Sequence, residues 1–110
     1  MNAAIPPLHL VLQAAPDAPG AAELLGEAEV AVASGHEVAV LLVDGGLAWR
    51  EDARLARLAE ASGVRVRLCS RSAREQGLDP QALPPWIAWS SLIAFFRDHD
   101  PGQPLWGLFP

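Results

Sequence analysis

The residue with the clearest chemical potential is the chain's one cysteine, Cys69, which ends the alternating stretch Val64-Arg65-Val66-Arg67-Leu68 and precedes Ser70-Arg71-Ser72-Ala73-Arg74. Apolar residues at every second position predict a β-strand with one buried face and one arginine-lined face. Ser70 to Gln76 has helix-compatible chemistry, with a serine for the N-cap and Gly77 as a stop. Cys69 is therefore expected at a strand-to-helix corner. Such corners, at the carboxyl ends of parallel strands, are where open α/β sheets hold ligands, because the next helix turns its unpaired N–H groups there. The positive end of that helix, with Arg71 and Arg74 close in sequence, would favour an anion, whether a thiolate or a persulfide. The competing reading is a small apolar residue filling a gap in the core. The pattern weighs the two equally.

A second candidate is Asp44-Gly45-Gly46, which follows the apolar run Val38 to Val43 and so falls at another strand's carboxyl end. Two glycines there permit close backbone approach to a ligand, but they also make an ordinary turn, and the turn is the favoured reading. Asp44 and Gly45 are accordingly candidates for lining the same crevice as Cys69.

Other chemistries are argued against by what surrounds these residues. A phosphatase-type cradle needs Cys, five residues, then Arg, whereas the sixth position after Cys69 is Glu75 and Arg74 arrives one place early. No GxGxxG follows the first strand, and the absence of lysine excludes a Walker-type phosphate loop and a Schiff base. A Cys/His hydrolase would need His9, His36 or His99 beside Cys69. His9 sits within a strand and reads as a packed or edge histidine, while His36 follows a helix at the opposite end of the sheet. One cysteine forms no intramolecular disulfide, and no Cys/His cluster has zinc spacing, so no metal and no cofactor are expected. Any sulfur chemistry must pass between molecules.

The net charge of −5 is unevenly spread. Residues 50 to 74 carry seven of the eight arginines against Glu51, Asp52 and Glu60, a local +4, and the rest of the chain carries −9. That basic stretch could steer an acidic partner or an anionic sulfur species toward Cys69, although each arginine alone reads as part of a solvated face. Trp86, Trp89, Phe95, Phe96, Trp106 and Phe109 crowd the last quarter, where Arg97 is the only basic partner for phosphate. This argues for core packing and a subunit interface and against direct nucleic-acid binding.

The elements that must position these groups follow from the periodicity of the 110 residues, 51% of them hydrophobic, enough for one domain with one core. Met1 to Pro7 reads as an extended lead-in without the features of a secretory signal, and no apolar run reaches the roughly 18 residues of a membrane span. A soluble cytoplasmic protein is expected. Strands are predicted at Leu8 to Gln13, Val38 to Val43, Val64 to Leu68, Trp86 to Trp89 and Leu105 to Phe109. Helices are predicted at Ala21 to Ser34, Glu51 to Ser62, Ser70 to Gln76 and from Ser90 or Ser91 to about Asp98, with Pro101-Gly102 breaking the chain before the last strand. In the second helix Arg50, Arg54 and Arg57 are placed toward water. The unbroken run at Val38 to Val43 predicts a central strand covered on both faces. This alternation predicts a three-layer α/β/α sandwich around a mainly parallel five-stranded sheet.

The segment LCSRSAREQGLD resembles the active-cysteine region of the DsrE/DsrF/DsrH and TusBCD family of sulfur-relay proteins, particularly the DsrE and TusD branch. The matching features are a cysteine ending the third strand, the small Ala73 four positions on, and an arginine near Gly77-Leu78; VLLVDGG is similar to the second strand and turn of that family. The resemblance implies a DsrE-like fold and a persulfide carrier in sulfur oxidation or tRNA thiolation, in which Cys69 takes sulfane sulfur from a donor protein and passes it to an acceptor protein. It also implies a homo- or hetero-oligomer, trimeric or hexameric. Two alternatives stand beside this reading. One is a non-catalytic subunit or scaffold of a relay complex, which could bury Cys69; the other is a flavodoxin-like domain with a small-molecule pocket at the Asp44 turn.

Overall fold

The VAVLL run forms a strand with no polar side chain on either face, so it must sit where both faces are covered. In the computed structural model, which describes residues 7–99 and 102–110, it does so as the middle strand of the sheet. The strands are β1 (Leu8–Leu12), β2 (Val38–Leu42), β3 (Val64–Cys69), β4 (Ile87–Ser90) and β5 (Leu105–Leu108). They lie in the order β4-β3-β2-β1-β5, and every neighbouring pair is parallel. The helices are α1 (Ala21–Ala33), α2 (Ala53–Leu58), α3 (Ser70–Glu75) and α4 (Leu92–Arg97). The expected lead-in, apart from Pro7, and the expected breaker Pro101 lie outside the described residues.

The strand order dictates the layers. From β1 to β4 each crossover steps one place in the same direction, and right-handed crossovers then put α1, α2 and α3 on one face. The return from β4 to β5 puts α4 on the other. The side chains agree. Leu8, Leu10 and Leu12 with Val38, Val40 and Leu42 and with Val64, Val66 and Leu68 form the large core against Leu25, Leu55, Leu58 and Ala73. The opposite face holds a small cluster of Val11, Leu41, Val43, Cys69 and Phe95. The sandwich therefore has three layers of unequal extent, the second helical layer being a single six-residue helix among the described residues.

Two expectations are corrected between β2 and β3. Asp44-Gly45-Gly46 is no simple turn; it opens a 3-10 segment that runs to Glu51 and buries Leu47 and Trp49. A Cβ on Gly46 would collide with the Leu12 backbone, so the second glycine is required by the close approach of this segment to the end of β1. The following helix does not span Glu51 to Ser62 either. Asp52 accepts a hydrogen bond from the Leu55 N–H at 2.8 Å and caps α2, which starts at Ala53 and ends at Leu58. Arg54, expected to face water, keeps 39% of its side chain exposed and also pairs with Glu29 of α1 through both of its carboxylate oxygens, at 2.7 and 3.1 Å, and this contact holds the Glu29 carboxyl below its usual range.

The buried Trp49 fixes the 3-10 segment. Its indole N–H donates to the Ala14 carbonyl at 2.8 Å in a buried setting, tying this segment to the loop after β1. Trp49→Phe keeps most of the apolar volume and strands that carbonyl, so it should lower the unfolding free energy by about 1–3 kcal/mol. A urea titration should show a lower midpoint at an unchanged slope.

His9, expected as a packed or edge histidine, is buried at 2% exposure against Phe95 and His99, with ring centroids 5.2 and 4.9 Å away. Burial and the nearby His99 push its pKa below the ordinary 6.5, and Arg67 acts the same way; the Pro7 carbonyl and Asp98 pull upward without reversing the shift. Below 6.5 the unfolded chain therefore binds more protons at this position than the folded one. Stability contributed by neutral His9 is complete above that pH and is lost as pH falls toward the lowered folded value. Unfolding titrations between neutral pH and pH 5 should show a decline that is shallower in His9→Leu than in the wild type.

Candidate functional site

Cys69 closes β3 and is at once the N-cap residue of α3, with extended backbone angles and no side-chain cap bond. The expected strand-to-helix corner is present, with the cysteine itself, not Ser70, in the cap position. Its register partner on β4 is Ser90, and Ser91 caps α4 by accepting from the Ala94 N–H at 3.1 Å. From these two adjacent strand ends the chain departs in opposite directions, α3 to one face and α4 to the other. That is the switch point at which doubly wound sheets open a crevice. A cleft of about 250 Å³ lies there, lined by Cys69, Ser70, Arg71, Ser91, Leu92 and Ile93.

The thiol sits at the floor of the cleft. Cys69 is 2% exposed and packs with Val11, Leu41, Val43 and Phe95, so its inner side is as apolar as a core position and only its outer side borders the cleft. Arg71 lines the cleft too, but its side chain is 85% exposed and its Nε donates to Glu75 one turn on, at 3.1 Å. Arg74 is exposed and outside the lining. The structure thus brings one of the two expected arginines to the cysteine and leaves that one engaged with a carboxylate. No histidine lines the cleft, so a Cys/His pair is not assembled.

Asp44 and Gly45 serve a different purpose from the one expected. Asp44 adopts a left-handed φ of 53°, which aspartate tolerates better than most residues. Its backbone N–H donates to Ser72 Oγ at 3.0 Å, and that hydroxyl donates back to Asp44 Oδ1 at 3.1 Å. Gln13 Nε2 donates to Oδ2, and Gln76 Nε2 donates to the Asp44 carbonyl, each at 2.9 Å. A Cβ on Gly45 would lie 3.1 Å from the Gln13 carbonyl, so the approach made there is to the chain's own backbone. The loop after β2 is thereby locked to the end of β1 and to α3, the helix that begins at Cys69. Sequence reasoning missed Ser72, 3% exposed, and Gln76 as positioning residues. Their signal was spacing: four apart on a helix, they share the face turned toward the Asp44 loop.

Among the described residues no group of three or more His, Cys, Asp or Glu side chains is placed to hold a metal ion, and no helix is long and apolar enough to cross a membrane.

No family model matches the chain, and no curated protein matches it in sequence. Among solved structures it is similar to MTH1491, a protein of unknown function from Methanobacterium thermoautotrophicum, at a TM-score of 0.74 and 17% identity, over 94% of this chain and 98% of that one. It is also similar to the ychN protein of E. coli, at a TM-score of 0.72 and 13% identity, over 94% of this chain and all of that one. At such identities the likeness is one of architecture, and it establishes that the three-layer sandwich is a DsrE/YchN-like fold.

Proposed function

We propose that the protein carries sulfane sulfur as a persulfide on Cys69 between a donor and an acceptor protein, as a sulfurtransferase or persulfide carrier of a sulfur relay. The observation that carries this reading is the placement of the lone cysteine at the switch-point cleft between β3 and β4. In the first step the Cys69 thiolate attacks the outer sulfur of a donor persulfide. The donor S–S bond breaks, its inner sulfur leaves as thiolate, and Cys69 holds the persulfide. In the second step an acceptor thiolate attacks the outer sulfur and Cys69 leaves as thiolate, so no external oxidant or reductant is consumed. The start of α3 and the Arg71 guanidinium border the space in which the anion forms. The resemblance of LCSRSAREQGLD to sulfur-relay proteins and the DsrE/YchN-like fold support the same reading.

One observation favours a second reading, a non-catalytic subunit that scaffolds relay partners: the 2% exposure of Cys69 beneath Phe95. Incubation of the folded protein with a low-molecular-weight persulfide, followed by intact mass measurement, separates the two. The carrier reading expects a gain of one sulfur atom in the wild type, its removal by dithiothreitol, and no gain in Cys69→Ser. A folded wild type that stays unmodified while the urea-unfolded chain reacts would overturn the carrier and leave the scaffold.

A further inference from the structure

The alternation that buries Val64, Val66 and Leu68 sends Arg65, Arg67 and Cys69 to the opposite face of β3. Cys69 ends under α4, but α4 is too short to cover the amino-terminal half of that face. A trough of about 230 Å³ remains there, lined by Pro7, His9, Glu37, Ala39, Arg65, Arg67 and Asp98 among others. It lies at the other end of the strands from the Cys69 cleft.

The trough holds guanidinium donors without acceptors to meet them. His9 lines it at 2% exposure, with its Nδ1 sealed from solvent. Arg65 is exposed and pairs with no carboxylate among the described residues. Arg67 is mostly buried and gives one guanidinium nitrogen to Asp98 at 3.0 Å, leaving donors of its fork uncommitted. Arg65 and Arg67 stand two residues apart on one strand face, about 6.6 Å along β3. Of the two carboxylates in the lining, Asp98 is matched by Arg67, and Glu37 is exposed at the rim.

We propose that this trough binds a small multi-oxygen anion, held between the Arg65 and Arg67 guanidinia beside the buried His9 ring. Oxygens pointing in several directions suit two guanidinia side by side on one strand face, and charge-assisted contacts of this type are strong. At about 30 Å³ per water the volume corresponds to about seven or eight waters. That is room for a sulfate- or phosphate-sized ion and some of its water.

The test is calorimetric titration of sodium sulfate into the protein at constant ionic strength, followed in parallel by the imidazole ring resonances in NMR. Wild type is expected to bind saturably and to shift the His9 signals. Arg65→Gln, a surface change whose fold is checked by circular dichroism, should raise Kd at least about tenfold. Glu37→Gln removes the opposing rim charge and should lower it. Cys69→Ser should bind as the wild type does. Absence of saturable binding, an unchanged Kd in Arg65→Gln, His9 resonances that do not move, or loss of binding in Cys69→Ser would each overturn the proposal.

Discussion

Everything in this structure depends on the two-residue period of β3. A strand that packs Val64, Val66 and Leu68 against three helices must present its intervening residues to the other face, and here those are Arg65, Arg67 and Cys69. A slip of one residue would drive two guanidinium groups into the large core, where unpaired charge is intolerable. The register to β2, with Val64 opposite Val38 and Leu68 opposite Leu42, is therefore held by the cost of the alternative as much as by the contacts made.

The unequal layers follow from the strand order and explain the character of the cysteine. Three crossovers cover one face; the single return crossover supplies six helical residues to the other. Phe95 is the part of α4 that fills the space over Val11, Leu41, Val43 and Cys69. It makes the inner side of the thiol apolar, while the divergence of α3 and α4 opens its outer side. A cysteine both buried and bordering a cleft is the direct result of ending β3 at the point where the winding reverses.

Strand and helix order could be read from the sequence because each strand carries its own burial pattern and each helix a nearby breaker or cap. The unbroken VAVLL run identified the central strand, and the alternation of β3 identified its two faces. The stretch from Asp44 to Asp52 could not be read in this way. Its 3-10 course depends on the closeness of Gly46 to Leu12 and on the bond from Trp49 to Ala14, both of which join segments distant in sequence. At the site, the corner that holds Cys69 was legible from strand and helix signals. The latch of Asp44 with Ser72, Gln13 and Gln76 was not, because it forms only once three strand ends are side by side. The engagement of Arg71 with Glu75 was open to reading from their four-residue spacing.

The seating of β1 between β2 and β5 bears on how the chain reaches this state. All five residues of β1 are buried, yet one of its two neighbours is the last described strand in the chain. Until β5 has been made and has travelled around the sheet, β1 is an apolar edge with unmet backbone donors and acceptors. Parallel pairings across such long separations close slowly. The interval before β5 docks is accordingly when this protein is most open to self-association and to capture by chaperones.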